Sequence, residues 1–246
     1  MLVPFWDYNK YRRSIGDGLN RPRHTAAMEL SPVIAALRPK LVEALAAMSL
    51  PQDVQRVGRW LGYLELLAKW NQAYNLSAVR EPQQMLYQHL LDCLAVLPSL
   101  DRHLQEGRAR ILDVGSGAGL PGVVWALMRP GWALCCVDAV AKKATFIRQA
   151  AAELAIRNLS SEHARVEQLQ APPFDVVTSR AFASLSDFTR LTQRHLAPGG
   201  CWLAMKGKVP DDEIAALGAE VNVFHVEPLQ VPGLEAQRCL VWMRPS

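Results

Sequence analysis

The sequence predicts an α/β protein: a doubly wound, mostly parallel sheet with an N-terminal helical extension and a C-terminal antiparallel hairpin. Three observations carry this reading. From position 32 to 97 apolar residues recur at three- and four-residue steps, and after a polar break at 101–108 the period changes to short apolar runs. Those runs, at 110–114, 133–137, 174–178, 201–205, 221–226 and 239–243, have strand length, and helical patterns at 120–129, 140–155 and 184–196 alternate with the earlier ones, as parallel strands joined by crossover helices require. The last two, AEVNVFHV and CLVWM, are separated by a turn-rich segment with no room for a long helix, so they are expected to pair as a hairpin at the sheet edge.

Each element follows from local sequence. Residues 1–31 hold Trp6, Tyr8 and Tyr11 beside Lys10, Arg12, Arg13, Arg21 and Arg23, without helical or strand periodicity, so a mobile lead segment is expected. A basic, aromatic arm that touches nucleic acid is the other reading of the same residues. Ser31 suits a helix cap and Pro32 the first helical position, and apolar residues continue to about Met48. Between Pro51 and Tyr74, Val54, Val57, Trp60, Leu61, Leu64, Leu67 and Ala68 form one buried stripe; Met85, Leu86, His89, Leu90 and Cys93 form another in a helix over Pro82 to Leu97. The chain thus divides into a lead at 1–31, a helical extension at 32–100 and the main α/β domain at 101–246.

Composition narrows the class of function. Half of the 246 residues are hydrophobic and 20% are charged, which excludes a disordered or fibrous chain. A net charge of +4 is compatible with a polyanionic partner without requiring one. The five cysteines, Cys93, Cys135, Cys136, Cys201 and Cys239, lie in or beside apolar runs with no C-x-x-C pair, so reduced, buried thiols and no metal are expected. With no apolar stretch long enough to span a bilayer and no signal-peptide order at the N-terminus, a cytoplasmic protein is expected.

The stretch ILDVGSGAGLPG at 111–122 bears on the ligand. Gly117, Gly119 and Gly122 match G-x-G-x-x-G, the dinucleotide fingerprint. The strand, however, ends at Asp113-Val114, so the turn begins at Gly115 and the fingerprint's third glycine falls on Leu120. Asp113 argues the same way, because a carboxylate about 4 Å from a pyrophosphate costs about 4 kcal/mol at an effective dielectric constant of about 20. A cationic ligand is attracted instead. S-adenosylmethionine has that character, with an ammonium and a sulfonium and no phosphate. Gly115, Gly117 and Gly119 let main chain approach such a ligand closely, and Pro121 suits the first helical turn. Asp113 either accepts from the ammonium or ties the turn together. Asp138 ends the next strand, where a carboxylate takes both ribose hydroxyls, with Ala139 beside it; this supports a nucleoside without choosing among them.

DVGSGAGLPG, the VD at 137–138, HARVEQ at 163–168, SRAFASL at 179–185, LAPGG at 196–200 and AMKG at 204–207 follow one another in an order that closely resembles one family. It is the bacterial small-subunit ribosomal RNA guanine-N7 methyltransferases, also called glucose-inhibited division protein B. KWNQAYNLSAV at 69–79 and HLLDCLAVLP at 89–98 are similar to that family's helical signatures. The resemblance covers about residues 55–243. It implies a class I (Rossmann-like) S-adenosylmethionine-dependent methyltransferase fold, acting on a guanine in the decoding-region loop of 16S ribosomal RNA, free or within the small subunit or an assembly intermediate. It also implies cofactor contacts at Gly115, Leu120, Val166, Glu167 and Arg180. Ser77, Cys93 and Ala139 depart from the family's usual threonine, serine and serine. A monomer is expected.

The chemistry of methyl transfer tests this against the residues. Alignment of nucleophile, methyl and sulfur is the enzyme's main lever. An exocyclic amine usually requires an Asn- or Asp-Pro-Pro-aromatic loop after the strand at 174–178, where this chain has TSRAF; carbon-5 of a pyrimidine requires a cysteine nucleophile. Guanine N7 needs neither, because its lone pair is already a free acceptor. Arg180 and Lys206, at the carboxyl ends of the strands at 174–178 and 201–205, are the candidate catalytic residues, placed to grip O6 or a flanking phosphate; Lys206 reads equally as a solvated strand end. Ser179 and Phe182 are candidates to touch the base, with core packing the other reading of Phe182. Asn71, Asn75, His89 and Asp92 form either a polar network that seats the extension or a wall of the RNA pocket. Lys142, Lys143, Arg148, Arg157 and Arg165, and separately Arg190, Arg194, Lys206 and Lys208, supply basic excess suited to RNA. A methyltransferase for a small molecule and a non-catalytic RNA- or cofactor-binding module are the competing readings.

Overall fold

A computed structural model describes residues 28–104, 108–180, 182 and 184–246; apart from residues 28–31, the expected lead segment lies outside them. The apolar pattern from 32 to 48 predicts one helix, and the chain makes two, α1 (Pro32–Ala35) and α2 (Arg38–Ala47). Pro39 has no N–H for an interior turn and sits in the first turn of α2 instead. The long helix α3 (Val54–Tyr74) is capped by Asp53, which accepts from the Arg56 amide at 2.9 Å, and ends at Asn75 in the left-handed conformation. The third expected helix is composite: α4 (Pro82–Met85), a π-helical turn (Leu86–Leu91), α5 (Asp92–Leu94) and then α6 (Leu97–His103).

Seven strands follow among the described residues: β1 (Arg110–Val114), β2 (Ala133–Asp138), β3 (Leu159–His163), β4 (Phe174–Ser179), β5 (Leu196–Lys206), β6 (Val221–Pro228) and β7 (Cys239–Pro245). Their order is β3-β2-β1-β4-β5-β7-β6; β1 to β5 pair in parallel, and β7 runs antiparallel to both β5 and β6. The sheet is therefore doubly wound and closes on the expected hairpin. β3 was not foreseen. Its sequence, LSSEH, has no apolar run, because it is an edge strand that among the described residues pairs only with β2 and buries no residue fully.

Alternate residues of each strand feed two cores. Ile111, Leu134, Cys136, Val176, Leu203 and Trp242 face a layer formed by the extension with α7 (Gly122–Met128) and α8 (Ala141–Glu153). Leu112, Val114, Val137, Val177, Trp202 and Val241 face α9 (Leu185–Thr192), while the short α10 (Asp211–Ala215) packs beside it. The extension shares its core with the sheet: Trp125 of α7 donates from Nε1 to the Cys93 carbonyl at 2.8 Å, and Tyr63 of α3 donates to the Ala118 carbonyl at 2.8 Å. Strand order reverses between β1 and β4, which opens a crevice at their carboxyl ends. Among the described residues no helix is long and apolar enough to cross a membrane.

Candidate active site

The turn after β1 is built from two carboxyl groups and three glycines with positive φ. Gly115, Gly117 and Gly119 have φ of 65°, 58° and 83°, a region closed to most side chains. Asp138, at the end of β2, receives the Gly117 amide on Oδ2 and the Val140 amide on Oδ1, both at 2.9 Å. Asp113 lies behind the turn, fully buried. Its Oδ2 accepts from the Gly122 amide at 2.9 Å, and Cys136 Sγ stands 3.7 Å away. Burial pushes the Asp113 carboxyl up to about 7, while the Gly122 N–H acts in the opposite sense. Gly122 opens α7, so the helix end that would meet a pyrophosphate in a dinucleotide fold is already taken by Asp113.

In front of the turn lies a cleft of about 510 Å³. Gly115, Gly117 and Leu120 line it, opposite Ser77, His89, Asp92, Arg180, Lys206 and Arg238. An alanine methyl at Gly117 would meet no atom within 4 Å, so the turn faces open space there; at Gly119 it would come 2.4 Å from Val123 Cγ2, so that glycine faces the core. A nucleoside-sized ligand without phosphate fits this arrangement: a glycine cradle open to a cleft, with carboxyl groups already occupying the turn and the helix end.

The cleft's charges are nearly balanced. Among the described residues four basic side chains line it, Lys143, Arg180, Lys206 and Arg238. Asp92, Asp138 and Glu213 answer them: Arg180 Nη1 and Arg238 Nε lie 2.8 and 2.7 Å from Asp92, Lys206 Nζ 2.7 Å from Glu213, and Lys143 Nζ 3.8 Å from Asp138. His89 adds no charge, because burial and then the Arg180 guanidinium push it down to about 4. The Ser77 hydroxyl lies 2.7 Å from His89 Nε2, and Asn71 shapes this loop through the Ser77 amide and the Val79 carbonyl. The π-helical turn, a geometry frequent at functional sites, carries His89 and delivers Asp92.

Of the residues singled out in the sequence, Gly115, Gly117, Leu120, Arg180 and Lys206 come together on the cleft, as do His89, Asp92 and Lys143, while Asn71 and Asn75 do not line it. Asp113 and Gly119 support its turn from the core side, and Asp138 ties the turn to the end of β2 through the Gly117 amide. Val166 and Glu167 form a 3-10 turn after β3, with Val166 buried in the core and Glu167 exposed. Ser179 is buried and donates to the Val114 carbonyl at 2.9 Å, and Phe182 packs 5.3 Å from Phe188. Lys206 is held by Glu213 of α10 rather than solvated. Asn75 is the αL end of α3 and accepts from Arg80 at 2.7 Å. Arg238 was missed, since a lone arginine in a turn-rich segment gives no sign of its partner 146 positions away. Burial pushes the pKa of every cysteine thiol above its usual range, so none is a thiolate nucleophile. Among the described residues no group of three or more His, Cys, Asp or Glu side chains could hold a metal ion.

Comparison with known proteins adds to this geometry. A family model described as rRNA small subunit methyltransferase G matches residues 58–241. The ribosomal RNA small subunit methyltransferase G of Leptothrix cholodnii is 57% identical over 208 residues, covering 85% of this chain and 95% of that protein. Its counterpart from Acidovorax ebreus is 56% identical over 218 residues, covering 85% and 96%. Among solved structures, a SAM-dependent methyltransferase from Aquifex aeolicus matches with a TM-score of 0.51 at 18% identity, covering 65% of this chain and 92% of that one, a likeness of fold.

Proposed function

Because the chain belongs to the rRNA small subunit methyltransferase G family, we propose that it transfers a methyl group from S-adenosylmethionine to N7 of a guanine in the decoding-region loop of 16S ribosomal RNA. The observation that carries the reading is the occupied helix end: Asp113 takes the Gly122 amide, while Gly117 opens onto a cleft whose basic groups are paired. When bound, the cofactor supplies an electrophilic methyl on a sulfonium. Gly115, Gly117 and Leu120 hold it at the turn, which Asp113 and Gly119 shape from behind. Asp138 and Ala139 are assigned to the ribose side, Val166 and Glu167 to the nucleoside by the family resemblance.

Guanine N7 carries a lone pair and no proton, so the reaction needs no general base. His89, neutral above about pH 4, is not required to act as one. The chain's task is to align the base and to accept the positive charge that the purine gains. A cleft of paired charges suits that demand better than an unpaired basic pocket would. Arg180 and Lys206 are assigned to guanine O6 or a neighbouring phosphate, Lys206 exchanging Glu213 for the substrate. The buried thiols exclude the cysteine route to carbon-5 of a pyrimidine. The place of action is the cytoplasm, where the small subunit is assembled.

Incubation with labelled methyl donor and small ribosomal subunits, followed by mapping of the modified base, tests the proposal. Label on guanine N7 is expected. Label on an amino nitrogen, on protein, or only on a metabolite would overturn it, and donor binding without any methylated product would indicate a binding module.

A further inference from the structure

Three parts of the fold meet in one carboxylate on the wall of the cleft. Asp92 opens α5 directly after the π-helical turn, and its side chain is 6% exposed. Its Oδ2 accepts from Arg180 Nη1 at 2.8 Å and its Oδ1 from Arg238 Nε at 2.7 Å. Arg180 follows the last residue of β4 and Arg238 precedes the first of β7, 88 and 146 positions from Asp92. All three line the cleft, and Arg238 also borders a second cavity of about 850 Å³ under the β6–β7 loop. Two guanidiniums held on the two oxygens of one carboxylate repel each other, and the negative charge between them offsets that repulsion. The carboxylate is buried, while the Arg180 and Arg238 side chains stay 22% and 24% exposed toward the cleft. An ion group with a buried member gains little for stability over apolar packing, so its position beside the glycine turn asks for a functional reason.

We propose that Asp92 is a positioning residue for methyl transfer. It sets Arg180 and Arg238 as a fixed pair against the target base, and its negative charge offsets their repulsion of the product. The inference rests on the guanine-N7 reading. In that reaction the N7 lone pair forms the new N–CH3 bond as the S–CH3 bond breaks; sulfur keeps the bonding pair as a neutral thioether, and the positive charge passes to the purine ring without any proton moving. The Arg180–Asp92–Arg238 group carries one net positive charge instead of two, and the neutral His89 beside it adds none. Anchoring also matters for geometry. A guanidinium free to swing tends to bridge guanine O6 and N7, which would occupy the lone pair that has to attack.

The test uses the full chain with Asp92→Asn, which keeps the shape and removes the charge, and Asp92→Glu, which keeps the charge. Affinity for S-adenosylhomocysteine by calorimetry, thermal unfolding, and single-turnover methylation of small ribosomal subunits at saturating donor are read together. Both variants are expected to bind S-adenosylhomocysteine within about threefold of the unaltered chain, with transfer slowed about tenfold or more by Asn and largely restored by Glu. Transfer at the unaltered rate in Asp92→Asn overturns the proposal, as does a rate that falls only in step with cofactor affinity. If the Asn variant does not fold, Asp92→Glu decides: a folded Glu variant whose transfer stays within about threefold supports the role of charge, and one as inactive as an Arg180→Ala chain overturns it. Failure of the unaltered chain to methylate any RNA is a separate result, which removes the guanine reading and this proposal with it.

Discussion

Alanine at Gly117 and alanine at Gly122, five residues apart in the same turn, are expected to fail in opposite ways. At Gly117 the added methyl meets no protein atom within 4 Å, so the folded state loses only what a φ of 58° costs an L-residue, roughly 1–2 kcal/mol. That methyl projects into the cleft, where the cofactor is assigned, so binding is expected to be lost almost completely. At Gly122 the methyl would stand 2.3 Å from Cys136 Sγ and 3.0 Å from Asp113 Oδ2, both fully enclosed. Overpacking of about 1–3 kcal/mol and a disturbed carboxyl–amide bond of about 1.5–3 kcal/mol outweigh the gain of about 1 kcal/mol for alanine over glycine in a helix. A net loss of about 1.5–5 kcal/mol follows. Calorimetric titration with S-adenosylhomocysteine and urea unfolding, run on both variants, separate the two effects. Retention of S-adenosylhomocysteine affinity by Gly117→Ala within about twofold would refute the placement of the cofactor over this turn.

Other perturbations follow from the same contacts. His89 is held near 4 when folded and returns to 6.5 when unfolded, so the unfolded chain binds the extra proton and stability falls as pH drops from about 6.5 to 4. His89→Gln should remove up to about 3 kcal/mol of that slope, read from urea midpoints across the window. Asp113 acts with the opposite sign: it is raised from 3.8 to about 7, keeps its proton when folded, and loses stability as pH rises through that range, by at most about 4 kcal/mol. Asp113→Asn should flatten this loss, so that its urea midpoint falls less between pH 5 and pH 8 than that of the unaltered chain. Tyr63→Phe leaves the Ala118 carbonyl without its buried donor, at a cost of about 1–2 kcal/mol, and should loosen S-adenosylhomocysteine binding because Ala118 lines the cleft. Lys206→Met should slow RNA methylation at least about tenfold with S-adenosylhomocysteine affinity unchanged, measured by single turnover beside calorimetry.

Much of the frame was legible because its causes are local. The alternation of strand-length runs with helical patterns, the apolar stripe of α3 and the hairpin at 221–245 each depend on residues a few positions apart, whereas Ser31, expected as a cap, makes no side-chain cap bond. β3 escaped because a polar edge strand takes its stability from backbone pairing with β2, which leaves no hydrophobic signature. The break between α1 and α2 could have been read from Pro39. At the site, Asp113 and Asp138 stood out as acids beside glycines, yet which side of the turn each would face depended on the pairing of β1 with β2 and on where α7 begins.

The ligand class was indicated by short-range order: an acidic residue one place before the strand's end and glycines in a register that omits the dinucleotide pattern, with a second acid at the next strand end that marks a nucleoside without choosing among them. Steric and electrostatic rules act between such neighbours whatever the remainder of the chain does. Which charges meet across the cleft was decided by folding alone. A carboxylate on an apolar helix carries no mark of its partners, and Asp92 finds Arg180 and Arg238 only because the sheet's winding brings a helix, a strand end and a hairpin loop to one point.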